Sequence, residues 1–198
     1  MERALIVGVT GQDGSYLCKL LLDKGFEVIG TSRDASECDT SKLKKLGVLN
    51  DLQLTSLAPN DFRNVLKVIT STKPTRIYNL SGQTSVGLSF DQPVECMESI
   101  AEATLNFLEV LRFLKSDIKF FNAGSSECFG NTKDSAIETS PFKPCSPYAV
   151  AKSTAYWLVS NYRDAYGIFC CTGILSNHES PLRAKRFVTQ KIINNVYE

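Results

Sequence analysis

Three glycines stand at G-x-x-G-x-x-G spacing in Gly8-Val9-Thr10-Gly11-Gln12-Asp13-Gly14, directly after an apolar run and before an amphipathic stretch. A turn without Cβ atoms lets backbone N–H groups and a helix N-terminus approach a pyrophosphate, where the helix dipole favours the anion. The plainer alternative is a tight strand-to-helix turn that binds nothing. A dinucleotide site of this kind places an acid about 20 residues on for the adenosine ribose, or an arginine for a 2′-phosphate. The sequence there reads Gly30-Thr31-Ser32-Arg33-Asp34, with Ser32 where the acid is expected and Arg33 next to it. A guanidinium makes charge-assisted bonds to phosphate, so NADP is expected in preference to NAD. The alternative leaves Arg33 solvated and gives the ribose to Asp34.

Tyr148 and Lys152 lie four residues apart in Ser146-Pro147-Tyr148-Ala149-Val150-Ala151-Lys152, a spacing that puts both on one helix face. A free tyrosine titrates near about 10. It becomes a base near neutrality only if positive charge, here Lys152 and an oxidised nicotinamide, stabilises the phenolate. Alone, the pair reads as a solvated helix face; downstream of the glycine turn by the expected number of β-α units, it reads as catalytic. A further apolar run ends in Asn122-Ala123-Gly124-Ser125-Ser126-Glu127, and ligands of open parallel sheets sit at the carboxyl ends of strands. A serine hydroxyl there can hold a substrate hydroxyl beside Tyr148, and Glu127 can exchange a carbon-bound proton. Otherwise Ser-Ser-Glu simply caps a turn.

These groups need a scaffold, and the chain supplies β-rich apolar runs alternating with longer amphipathic stretches, the pattern of β-α-β units. Strands are expected at 4–10, 27–32, 52–57, 76–81, 119–125 and 168–175, each apolar enough to be buried on both faces. Leu17, Leu20, Leu21 and Leu22 give the first helix an apolar face, and Gly25 fits a left-handed cap. A long helix is expected from Pro93 to Lys115, and another from the N-cap Ser146 and Pro147 to Gly167. The expected fold is therefore α/β, a Rossmann-type doubly wound parallel sheet with helices on both faces. The 198 residues carry 22 Lys and Arg against 21 Asp and Glu, which offers no basic field for nucleic acid or an anionic membrane. No apolar run approaches a membrane span. Seven cysteines without a C-x-x-C pair and one histidine favour a reduced, cytoplasmic, metal-free protein.

Together, Thr10-Gly11-Gln12-Asp13-Gly14-Ser15-Tyr16-Leu17, Tyr78-Asn79-Leu80 with Gln83, Ser146-Pro147-Tyr148, Ala155-Tyr156-Trp157 and Gly173-Ile174-Leu175-Ser176-Asn177-His178-Glu179-Ser180-Pro181 resemble the extended short-chain dehydrogenase/reductase family. Within it they resemble the GDP-mannose 4,6-dehydratases. The resemblance implies an enzyme that keeps NADP bound while the sugar is oxidised at C4, loses water across C5 and C6, and regains hydride at C6. It implies that Tyr148 takes the C4 hydroxyl proton, that Lys152 holds the nicotinamide ribose and lowers that phenol, and that Ser125 bonds the C4 oxygen. Glu127 would take the C5 proton and protonate the departing C6 hydroxyl. Gly8, Thr10, Gly11, Gln12, Asp13, Gly14, Arg33, Leu80, Ser81 and His178 would serve the cofactor. Gln83, Ser85, Ser126, Asn177 and Glu179 would serve the nucleotide sugar, and a homodimer or homotetramer is implied.

The sequence also departs from the resemblance. Ser81-Gly82-Gln83-Thr84-Ser85 differs from the usual substrate loop, Ser56 stands where an aspartate meets the adenine, and Arg33 and Arg183 are single where paired arginines are usual. The family continues into a smaller substrate domain, expected to be largely absent from this chain. Residues 1–198 would then be an NADP-binding domain, with the substrate region beginning about 176–198 and Ile192, Ile193 and Val196 exposed. Other readings are a related nucleotide-sugar dehydratase, an epimerase, a reductase, or a non-catalytic nucleotide-binding scaffold.

Overall fold

The computed structural model describes residues 2–197; Met1 and Glu198, the limits of the expected domain, lie outside the described residues. In chain order the elements are β1 (Arg3–Val7), α1 (Gln12–Asp23), β2 (Glu27–Ser32), α2 (Ser41–Lys45), β3 (Gln53–Ser56), α3 (Phe62–Thr72), β4 (Arg76–Asn79) and α4 (Val86–Asp91). Then follow α5 (Pro93–Met97), a π-helical turn (Glu98–Glu102), α6 (Ala103–Phe113), β5 (Lys119–Ala123), a 3-10 turn (Ser126–Phe129), α7 (Pro147–Tyr166), β6 (Cys170–Gly173) and α8 (Val188–Tyr197).

All six expected strands form, in the order β3-β2-β1-β4-β5-β6, every neighbouring pair parallel. The order reverses between β1 and β4, which opens a crevice at their carboxyl ends. Strand β1 shows why the runs had to be continuously apolar. Leu5 and Val7 pack with α3, α6 and α7 on one face, while Ala4 and Ile6 pack with Cys18, Leu21 and Leu43 of α1 and α2 on the other. Alternate side chains of a strand point to opposite faces, so this central strand feeds both cores.

β2 keeps the expected bounds, and the other strands end earlier than expected. β1 stops at Val7, before Thr10, because Gly8 takes φ +85° and turns the chain out of the sheet. β5 ends at Ala123 and β6 spans only Cys170–Gly173. Gly25 and Gly167 both adopt positive φ directly after their helices, at +79° and +67°. The single helix expected from Pro93 to Lys115 is instead α5, a π turn and α6. One extra residue in a turn re-aims the side chains around it, and here it presents Ser99 to the loop after β4, where the backbone N–H of Gln83 donates to its hydroxyl at 3.2 Å. Ile192, Ile193 and Val196 on α8 are exposed, as expected.

Candidate active site

The glycine turn is built so tightly that two of its members have no room for a side chain. A Cβ on Gly8 would meet the Leu80 carbonyl oxygen at 3.1 Å and Ser81 Cα at 3.2 Å, so β1 and β4 leave the sheet almost in contact. A Cβ on Gly14 would lie 2.3 Å from the Gly8 carbonyl oxygen. Buried Ser15 locks the turn, its hydroxyl donating to the carbonyls of Val9 at 3.0 Å and Gly11 at 2.8 Å. The N–H groups of Gly8 and Val9 both donate to the Thr31 carbonyl, which ties the turn to the end of β2. No side chain caps α1 at Gly11, and the uncapped N–H groups of a helix start are anion ligands.

A cleft of about 560 Å³ opens over this turn, lined by Gly8, Thr10, Gly11, Arg33, Leu80 and Ser81 among others. The volume is that of a small-molecule or cofactor site. Thr31 also lines it, with a buried hydroxyl that has no partner. Arg33 is exposed at its rim. Asp34, the competing ribose ligand, accepts from Ser36 N at 2.9 Å, Ser36 Oγ at 2.6 Å and Glu37 N at 3.3 Å. These bonds hold its carboxyl below the usual range and engage it within its own loop. The hydroxyl of Ser56 accepts from the Ala35 N–H at 3.0 Å.

The second cluster gathers at the end of β5. Ser146 caps α7 by accepting from Ala149 N at 3.1 Å, and Pro147 fills the first turn. That fixes Tyr148, half-buried, against Cys96, Ile100, Ala151 and Ala155. Two alanines on α7 let the helix carrying Cys96 and Ile100 approach closely. Lys152 is buried, its Nζ donating to the Ala123 carbonyl at 2.7 Å and standing 5.8 Å from the Tyr148 ring centre. Ser125 is buried; its hydroxyl accepts from Glu127 N at 3.3 Å and lies near enough to the Tyr148 phenol to lower it. Ser125 therefore caps the turn carrying Glu127, beside the phenol.

The electrostatics correct one expectation. Burial is the largest influence on Tyr148 and raises its phenol, with Glu127, Cys128 and Cys96 adding to the rise and only the Ser125 hydroxyl opposing it. Lys152 is not among the groups that shift the phenol, and burial pushes its own ammonium down to about 8. Burial likewise raises the Cys128 thiol, as befits a packing residue.

The remaining expected residues divide. Gln83 lines the cleft, but its carboxamide is folded back on its loop, donating to the Ser85 carbonyl and accepting from the Ser85 N–H, both at 2.7 Å. The Ser85 hydroxyl caps α4. Ser126 N donates to the Leu175 carbonyl at 2.9 Å, which ties the 3-10 turn to the segment after β6. Asn177 is exposed, and Glu179 pairs with Arg183 at 3.4 Å. Gln12, Asp13 and His178 bond one another across the chain rather than lining the cleft.

Three features escaped the sequence. Lys42 Nζ donates to the Thr10 carbonyl at 3.2 Å, and Arg186 lines the cleft while donating to the Thr84 hydroxyl at 3.3 Å. Buried Asn79 donates to Asn122 across the sheet at 2.9 Å, and Ser81 Oγ donates to Asn79 at 2.7 Å, so a pair of strand asparagines orients a cleft residue. Only the position of both asparagines at strand ends hinted at this.

Comparison with known proteins places this geometry. The protein family described as GDP-mannose 4,6 dehydratase matches residues 5–198. A GDP-mannose 4,6-dehydratase of Vibrio cholerae is 43% identical over 199 residues, covering 96% of this chain and 54% of that protein. GDP-mannose 4,6 dehydratase 1 of Arabidopsis thaliana is 44% identical, covering 96% and 55%. The chain thus spans about half the length of the curated relatives it matches. Among solved structures, a dTDP-glucose 4,6-dehydratase from Streptomyces venezuelae with NAD and TYD bound superposes with TM-score 0.87 at 18% identity, over 98% of this chain and 62% of that one. With nearly its whole length matched, the chain belongs to the GDP-mannose 4,6-dehydratase family.

Proposed function

We propose that the protein is an NADP-dependent hydro-lyase that converts GDP-mannose into GDP-4-keto-6-deoxy-mannose and water. What carries this reading is the convergence of Ser125, Glu127, Tyr148 and Lys152 at the carboxyl end of β5 in a chain of this family. Gly8, Gly11, Gly14 and Arg33 would hold NADP, which would supply the hydride-transfer chemistry. The fit of the cleft to such a group is supported by the side-chain-free cradle of Gly8 and Gly14 and by the unpartnered Thr31 hydroxyl. Free Arg33 and engaged Asp34 favour a 2′-phosphate over a bare ribose.

Tyr148 takes the C4 hydroxyl proton, and the Ser125 hydroxyl holds the same oxygen in place. Burial makes the phenolate costly in the protein alone, so the proton moves only once positive charge arrives beside it. Lys152, held by the Ala123 carbonyl, contributes part of that charge. A ketone at C4 acidifies C5–H; Glu127 removes that proton and delivers it to the leaving C6 hydroxyl. Residues 176–198 begin the substrate region in this reading. A homodimer or homotetramer is supported by the exposed apolar side chains Val94 and Phe113 on α5 and α6 and Val150 and Trp157 on α7. Among the described residues no helix is long and apolar enough to cross a membrane, and seven free cysteines fit a cytoplasmic setting.

Mass spectrometry of GDP-mannose incubated with protein and NADP tests the assignment. Loss of one water that vanishes in Glu127→Gln and Tyr148→Phe supports it. An unchanged sugar with NADP still bound points instead to another nucleotide sugar or to a scaffold.

A further inference from the structure

The segment after β6 is fastened to the first turn of α1, next to the glycine turn that lines the cleft. Three hydrogen bonds join it to the first turn of α1: His178 to Asp13 at 2.7 Å, Gln12 Nε2 to the His178 carbonyl at 3.4 Å, and Ser180 Oγ to Gln12 Oε1 at 2.8 Å. β6 and β1 are separated in the sheet by β5 and β4, so this segment crosses roughly 14 Å of strand ends at the usual spacing. It crosses at the carboxyl end, where the glycine turn faces the cleft. Buried Leu182 anchors its far end, and Gln190 of α8 donates to the Ser180 carbonyl at 3.2 Å.

His178 is the only histidine in the sequence. Its Nδ1 faces the Ser176 carbonyl oxygen at 2.7 Å and its Nε2 faces Asp13 Oδ1 at 2.7 Å. Both partners accept only, and a neutral imidazole carries a single N–H. Both contacts are therefore satisfied together only by the imidazolium. The charged groups near the ring are Asp13 from α1 and Arg183 from its own segment. Arg183 opposes the imidazolium, but it is 3.4 Å from Glu179 and stacked 3.6 Å over the Phe187 ring. The Ser176 carbonyl first, and Asp13 second, hold the imidazole above its ordinary range.

We propose that His178 and Asp13 form a protonation-dependent latch that holds residues 176–182 closed across the phosphate-binding turn, making His178 a positioning residue that controls dinucleotide release. The proposal rests on the reading that this turn binds a dinucleotide. A histidine raised in the folded state contributes its closing interaction fully below its ordinary value and loses it as pH rises through the raised one. Release is therefore slowest below the ordinary imidazole value and quickens as pH rises through the raised one.

Two measurements on the full-length protein test the latch. NMR titration of the His178 ring without cofactor, assigned by its loss in His178→Gln, should give a pKa above about 6.5 that falls back toward that value in Asp13→Asn. Protein loaded with NADPH and chased with excess NADP should lose NADPH fluorescence roughly two- to fivefold faster at about pH 9 than at about pH 6, the size expected of one half-exposed charged pair. His178→Gln should release quickly at every pH, and His178→Lys, which keeps its charge across this range, should restore slow release. A raised His178 pKa with release independent of pH would overturn the latch and leave the dinucleotide site standing. An ordinary His178 pKa would overturn it as well. Failure of NADPH to bind at any pH would overturn the dinucleotide reading and the latch with it.

Discussion

Gly14→Ala separates a helix-propensity argument from a packing one, because the two predict opposite signs. Gly14 lies in the first turn of α1, and alanine in a helix is ordinarily favoured over glycine by about 0.8–1 kcal/mol. Here the added Cβ would lie 2.3 Å from the Gly8 carbonyl oxygen, 2.7 Å from Val9 Cα and 3.0 Å from the Gly8 carbonyl carbon. All three are backbone atoms, so no rotamer change relieves them and the turn itself must open. Overpacking costs about 1–3 kcal/mol, and an unrelievable backbone clash belongs at the top of that range. Net destabilisation of about 2 kcal/mol corresponds to a melting temperature lower by roughly 4–8 °C. If the displaced turn is the phosphate ligand, dinucleotide affinity falls by about 30-fold or more. Gly11→Ala is the internal control, since its Cβ meets only the Gly8 carbonyl oxygen, at 3.2 Å, and it should cost less than about 1 kcal/mol. Differential scanning fluorimetry and NADP titration read both quantities. A Gly14→Ala protein that melts higher than wild type, or binds NADP as well as Gly11→Ala does, would refute the reasoning.

Lys152→Met should abolish turnover while leaving the fold intact. Because burial lowers Lys152 from 10.5 to about 8, the unfolded chain binds the extra proton between those values. Wild type should therefore gain stability relative to the variant by roughly 3 kcal/mol as pH rises through that window, measured by denaturant unfolding at each pH. Arg33→Ser should weaken NADP binding roughly 10- to 100-fold, the worth of a charge-assisted bond, and leave NAD binding nearly unchanged, as read by calorimetric titration. Asn122→Ala strands the buried Asn79 amide, which donates to its Oδ1 at 2.9 Å, while the Thr104 hydroxyl keeps the Ile100 carbonyl at 2.7 Å. It should cost about 1–3 kcal/mol in thermal unfolding and disturb the orientation of Ser81.

What was legible in the sequence was whatever depends on short-range chemistry. The central strands could be read because both of their faces are buried, leaving apolar runs such as Ala4–Val7 without polar alternation, whereas the edge strands β3 and β6 are only partly buried, against expectation, because no further strand covers them. Gly25 and Gly167 could be read because only glycine enters positive φ freely. The Tyr148 and Lys152 pair could be read because helix spacing alone brings the two together. The π turn at Glu98–Glu102 was not legible, since the extra residue interrupts no periodicity long enough to register. Nor were the Lys42, Arg186 and His178 contacts, which join residues 32, 102 and 165 positions apart through flexible or exposed side chains. The direction of the Tyr148 shift escaped for a related reason: proximity of a lysine is visible in a spacing, but the burial that dominates the phenol belongs to the packed helix pair.

GDP-mannose carrying deuterium at C4, converted by the full-length protein with unlabelled NADP and analysed by NMR and mass spectrometry, tests the proposed chemistry most directly. The account predicts a product that has lost one water and carries the deuterium at C6, within the same sugar. Deuterium appearing in free cofactor, a product that keeps its C6 hydroxyl, or a sugar returned unchanged by protein that binds NADP would contradict it.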